Sequence, residues 1–144
     1  MLQDVVLLQH LVLKEFQPID VKATSLENPQ VAQDDVIQFM RVFLHRIDLG
    51  ECHTSYSAFG QFRQKLHKDD VVVFTTAGGS HVGQVRFHVQ VDADIFTCVE
   101  TWTKSDTNTF IMQQDPEMIP LENIQKACAW RTMDTDAGKA YVIP

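Results

Sequence analysis

Between Val82 and Val91 the chain alternates strictly: Val85, Phe87, Val89 and Val91 are separated by Arg86, His88 and Gln90, with Gln84 ahead of them. A period of two marks a β-strand with one buried face and one wet face. The pattern sits in a series of similar short segments. Asp70–Thr76, Ile95–Lys104, Thr109–Gln114, Ala127–Met133 and Ala140–Ile143 are all rich in β-branched and aromatic residues. Ala77-Gly78-Gly79-Ser80 and Asp92-Ala93-Asp94 separate the first of them and have turn chemistry. Short strands with tight connections predict a small curled sheet or barrel.

The flanking segments read differently. Leu2, Val5, Leu8, Val12 and Phe16 recur at helical spacing, which predicts an amphipathic helix over residues 2–16 that ends before Pro18. Residues 17–33 carry Pro18, Asn28 and Pro29 and read as a connector. Asp34–Leu49 predicts a second helix. Asp34, Gln38, Arg41, His45 and Asp48 line its polar face, and Val36, Phe39, Met40, Phe43, Leu44 and Ile47 its apolar face. Asp34 and Asp35 complement the positive end of that helix, and Gly50 is placed to stop it. Ser55–Phe59 offers one more strand. A boundary near Gly50 divides a helical segment, residues 1–50, from a β-module, residues 51–144. The expected fold is α+β: a small SH3-like, partly open β-barrel preceded by two amphipathic helices.

Nineteen acidic against twelve basic residues leave a net charge of −7, opposite in sign to a broad phosphate-binding face. Three cysteines, Cys52, Cys98 and Cys128, with no Cys-x-x-Cys, argue against a disulfide framework or structural zinc site and for free thiols in a reducing compartment. No run of eighteen apolar residues and no basic leader is read, so neither a membrane span nor a signal peptide is expected. An intracellular setting, nuclear or cytoplasmic, is expected.

Motifs for chemistry are sparse. Gly78-Gly79-Ser80 lies in a hairpin turn and lacks the lysine and the strand-to-helix context of a phosphate loop. Cys98 and His88 sit on adjacent strands, but a core thiol beside a surface histidine is the simpler account. His81 and His88 are too far apart along one strand to share an ion, and Asp134 and Asp136 lack calcium-loop spacing. No catalytic residue, metal site or cofactor is therefore expected.

The aromatic residues offer a recognition surface instead. Phe87, Trp102, Phe110, Trp130 and Tyr141 fall in or near strands. Rings on a small barrel form a groove or cage for a peptide, or else fill the core. Phe87, Trp102, Trp130 and Tyr141 are the candidate binding residues, with Trp102 foremost. A second candidate surface is basic: Arg63, Lys65 and Lys68 in the run before the first clear strand, with Arg86.

The order Asp69-Asp70-Val71-Val72-Val73-Phe74, Val82-Gly83-Gln84-Val85-Arg86-Phe87, Phe96-Thr97-Cys98-Val99-Glu100-Thr101-Trp102, Ile119-Pro120-Leu121-Glu122-Asn123-Ile124 and Ala140-Tyr141-Val142-Ile143-Pro144 resembles a C-terminal β-module of proteins of DNA transposable elements. That module is similar to the SH3-like core of bromo-adjacent-homology domains. The resemblance spans residues 53–144 and carries no catalytic motif. It implies a non-catalytic interaction module that contacts chromatin proteins.

The expected function is thus protein or peptide binding, in a chromatin or transposable-element setting. The alternatives are a nucleic-acid accessory module built on Arg63–Lys68, which the net charge disfavours, and a small enzyme or self-associating structural subunit without a recognisable motif. The expected partner is a protein or peptide, with self-association open and no membrane.

Overall fold

Two thirteen-residue strands joined by a tight turn organise the chain. The computed structural model describes residues 24–143. The helix expected over residues 2–16 lies outside the described residues. The elements are β1 (Ser25–Glu27), β2 (Gln30–Val31), α1 (Asp34–Leu44), β3 (Cys52–Ser55), β4 (Ser57–Phe59), β5 (Lys65–His67), β6 (Val71–Thr76), β7 (Gly79–Val91), β8 (Asp94–Asp106), β9 (Thr109–Ile111), β10 (Pro116–Pro120), β11 (Ile124–Ala127), β12 (Ala129–Thr132) and β13 (Lys139–Ile143). Single 3-10 turns occupy Gln61–Arg63 and Leu121–Asn123.

Strands account for 57% of the described residues and helix, the 3-10 turns included, for 14%. The expectation of an α+β fold with two amphipathic helices and an SH3-like barrel is therefore corrected. Among the described residues there is one α-helix, and the sheets are open. The larger sheet runs β11-β6-β7-β8-β9-β13-β12, and a smaller one runs β1-β4-β5. The end strands β11 and β12 do not pair with each other, although only Cys128 separates them in the chain, so the larger sheet curls without closing. The length of β7 and β8 is the physical reason. At about 3.3 Å per residue each outruns one set of neighbours. β7 pairs β6 through Gly79–Gln84 and β3 through His88–Val91. β8 pairs β10 through Phe96–Glu100 and β9 beyond Thr103. β10 begins and ends with proline and pairs only β8, as a strand lacking those N–H donors must.

The β7–β8 ribbon is covered on both faces. Ile95 and Val99 point into one core with Val85, Leu66, Phe74 and Leu121. The opposite face is divided. At one end Cys98, Val89 and Val91 meet Met40 of α1; at the other Trp102 and Val82 meet Phe110 and Val142. Met40 is fully buried, a burial that stabilises by about 1.5–3 kcal/mol.

The expected common inward face of Val85, Phe87, Val89 and Val91 is split. Val85 pairs Val99, but Phe87 pairs Cys98, leaving Arg86 without an opposite residue. This β-bulge shifts the alternation by one, so Phe87, Val89 and Val91 face α1 while Val85 faces the other way. His88, expected on the wet side, is thereby fully buried. The Arg86 side chain lies between Asp69 and Glu100, at 3.6 and 3.4 Å.

The second expected helix is present but shorter. His45 takes a left-handed conformation (φ 55°), and the Arg46 N–H reaches back to the Arg41 carbonyl at 3.0 Å, which ends the helix before Gly50. Its apolar face is only partly covered. Val36, Ile37, Met40 and Leu44 pack inward, whereas Phe39, Val42 and Phe43 remain exposed.

Gly83 stands where β8 packs tightly against β7. A Cβ there would collide with the Val99 side chain and lie 2.7 Å from the Glu100 carbonyl oxygen. Gly83→Ala is expected to lose about 1–3 kcal/mol of stability by overpacking, measured by urea unfolding. A loss under about 0.5 kcal/mol, the range of a neutral surface change, would show that the strands have room there.

Candidate functional site

A recess lies where β2, β3 and the start of α1 meet, and local chemistry builds it. Asn28 takes a left-handed conformation (φ 50°) between β1 and β2, a role suited to a short polar side chain. β2 then pairs β3, with Gln30 opposite Thr54 and Val31 opposite His53. At the β3–β4 corner the Ser55 hydroxyl donates to the Glu27 carbonyl and accepts from the Ser57 N–H at 3.1 Å. That corner leaves Tyr56 projecting, with the Lys68 ammonium 5.0 Å from its ring centroid.

The recess holds about 260 Å³. Val31, Val36, Tyr56 and Phe87 supply its apolar surface, and Asn28, Gln30, Gln33 and Thr54 supply amide and hydroxyl groups. No carboxylate, lysine, arginine or histidine lines it. It can therefore enclose an uncharged group and hydrogen-bond its periphery, and the Tyr56 phenol is the one ionisable side chain in its lining.

The four expected aromatic residues fall in two places. Phe87 is at the recess. Trp102 and Trp130 are together at the far end of the ribbon, edge to face with centroids 5.6 Å apart. Trp102 is buried at 4% exposure, and Trp130 closes over it at 37%. Tyr141 is adjacent but on the other face of the sheet, because Trp130 registers with Val142 whereas Tyr141 registers with Arg131. The Arg131 guanidinium stacks 5.0 Å over the Tyr141 ring. Phe110 is buried beside Trp102. Tyr56 and Val31 escaped the sequence reading. Tyr56 lies between two serines and Val31 in a connector, and neither has a periodic neighbour that marks it.

Of the basic candidates, Lys65 pairs with Glu27 at 2.9 Å and Arg86 with Asp69 and Glu100. Lys68 covers Tyr56, and Arg63 is exposed at the end of a 3-10 turn where it and Phe62 both have positive φ. Such half-exposed pairs contribute little stability, but they place carboxylates beside the cations.

His88 and Cys98 lie on opposite faces of the ribbon. The His88 Nδ1 is 2.8 Å from the Thr97 hydroxyl and its Nε2 is 3.1 Å from the Leu66 carbonyl. Nε2–H therefore donates to Leu66, and Nδ1 accepts from Thr97. Burial lowers the His88 pKa from 6.5 to about 4, with the Leu66 hydrogen bond and the Asp70 charge acting the other way. Burial first, and Glu100 second, raise Cys98 from 9.0 to about 11 against the influence of Arg86. Burial also raises Cys52 and Cys128. Thiols so protonated at neutral pH are poor nucleophiles. Among the described residues no three His, Cys, Asp or Glu side chains gather around a common point, and no helix is long and apolar enough to cross a membrane.

Set against protein-family models, curated proteins and solved structures, the chain matches none.

Proposed function

We propose that the chain is a non-catalytic interaction module that takes an uncharged, apolar-anchored peptide segment of a partner protein into the recess between α1 and β2–β3. The observation that supports this is the lining: apolar side chains ringed by amides and hydroxyls, with no ionisable acid or base other than the Tyr56 phenol. Its volume is below the roughly 300–1,000 Å³ typical of small-molecule sites, a size suited to a side chain rather than a cofactor. Aromatic anchors such as Phe87 and Tyr56 commonly dominate peptide affinity. A chromatin or transposable-element setting is carried into this proposal by the resemblance of the β-module.

Panning an unbiased peptide library on the intact chain tests the reading. Enriched peptides are expected to share an uncharged apolar residue and to bind about tenfold more weakly to Tyr56→Ala, as for an interface anchor. Their affinity is expected to change little with added salt. Binders indifferent to both Tyr56→Ala and Val31→Ala would overturn the assignment. Retention of nucleic acid with affinity falling steeply in salt would favour the basic surface instead.

A further inference from the structure

We infer that Arg41 is the seat of a subsite beside the recess that binds a carboxylate of the same peptide, from an acidic side chain or from the chain end. The identity of the ligand as a peptide rests on the recess reading; the carboxylate rests on the geometry around Arg41. A second hollow, of about 290 Å³, opens where α1 passes the start of β3. Ile37 and Arg41, one helical turn apart, line one side of it, and the chain returning through Leu49, Gly50 and Glu51 lines another. Arg41 supplies the one arginine or lysine in that lining. Among the described residues its Nε is buried without a hydrogen-bond partner, and no carboxylate is in ion-pair contact with its guanidinium. A buried donor left unpaired carries the full cost of its desolvation, so the fold gains when an acceptor is supplied there.

The acceptor that fits is a carboxylate. A guanidinium presents parallel N–H groups in a planar fork, and the two oxygens of a carboxylate match them. Glu51 lines the same hollow, so the lining carries one charge of each sign. That balance suits a single negative charge and repels the larger charge of a phosphate group. Position ties the hollow to the recess. Val31, 76% exposed, lines both. Thr54 lines the recess and Cys52 the second hollow, two residues apart on β3, which is about 7 Å at roughly 3.4 Å per residue. An extended peptide whose apolar residue fills the recess therefore passes over Val31 and brings a residue two or three positions along to Arg41. The residue in the recess stays uncharged. A single, partly buried ion pair is screened only weakly, so the small dependence on salt is kept.

Small acids test the subsite without the recess. N-acetylglycine stands for a chain end and N-acetylaspartate α-methylamide for an acidic side chain, with N-acetylglycinamide as the uncharged control. The Arg41 Nε–H resonance of the full-length chain is expected to shift saturably with at least one acid and not with the amide, and the tighter acid identifies the source. Tetrapeptides then join anchor to acid: acetylated amides with leucine at one end and aspartate at the other, in either order, each against its asparagine counterpart. The aspartate peptide of the favoured order is expected to bind about tenfold more tightly. That preference should vanish in Arg41→Gln and survive only in part in Arg41→Lys, which keeps the charge and loses the fork. The near-ultraviolet signal of the two tryptophans should stay unchanged in both. A resonance that neither acid moves, or that the amide moves equally, would overturn the inference, as would an aspartate preference that persists in Arg41→Gln. Tyr56→Ala separates the two readings. It should weaken aspartate and asparagine peptides alike and leave the response of Arg41 to the small acids intact. If it weakens neither peptide, the recess assignment fails while the Arg41 subsite stands.

Discussion

Trp102→Ala is expected to cost about 3–5 kcal/mol of folding stability, the range for removing a large aromatic from a packed core. The ring is 4% exposed and shares its core with Val71, Val73, Phe110 and Val142. Val82 lies directly across the ladder from it. Trp130, 37% exposed at the strand edge, supplies an edge-to-face contact with it. Trp130→Ala should therefore cost only about 1 kcal/mol, the order of an aromatic pair. Urea unfolding of both variants provides the comparison. A Trp102→Ala loss no larger than that of Trp130→Ala would show that the core does not depend on the Trp102 ring. The expected difference also governs binding experiments, since lost binding in Trp102→Ala reports unfolding unless the variant is shown to be folded.

The second large effect is a pH dependence centred on His88. Its folded-state pKa is about 4 against an ordinary 6.5, chiefly because burial disfavours the cation. The native state thus holds the ring neutral while the unfolded chain protonates it first. The stabilisation is fully present above pH 6.5 and is lost as the pH falls from there toward 4. The gap between 6.5 and about 4 corresponds to about 3 kcal/mol. The titration of the carboxylates is superimposed on this loss, so the measurement is differential. His88→Gln cannot titrate, and its amide can still donate to the Leu66 carbonyl and accept from Thr97. Unfolding free energies at pH 7 and pH 4 should fall by about 3 kcal/mol less in His88→Gln than in the unaltered chain. An identical fall in both would mean that His88 contributes nothing to the acid limb. His88→Ala at pH 7 leaves two buried groups unsatisfied, and is expected to lose about 2–3 kcal/mol even there.

Much of the strand content was legible from β-branched and aromatic runs punctuated by turns. Val71–Thr76, the β7 and β8 ribbon, and the terminal Lys139–Ile143 strand fall close to where alternation and Gly, Asp and Asn punctuation place them. Gly83 inside a strand pattern marks a bulge or a close backbone approach, and the structure has the close approach there. The chain around Pro116 and Pro120 was not. Asp115–Met118 reads as a loop and Ile119–Ile124 as a short irregular or single-turn element, and only the unpaired side of β8 turns Pro116–Pro120 into an edge strand. The recess was equally hidden. It is made of Val31, Val36, Tyr56 and Phe87, which come from four separate segments, and no single stretch of sequence shows that they meet.

By itself the sequence determined local form: where strands run, where turns break them and where α1 begins. Those properties depend on neighbours one to four residues apart. The tertiary structure decided which side of each element is inside. One unpaired residue, Arg86, reverses the alternation of β7, so His88 enters the core and Phe87 turns toward α1. Packing likewise covers Val36, Ile37, Met40 and Leu44 of α1 and leaves Phe39 and Val42 exposed. A bulge and a choice of face depend on the partner strand and the opposing layer, which lie far away in sequence, so they become visible only once the chain is folded.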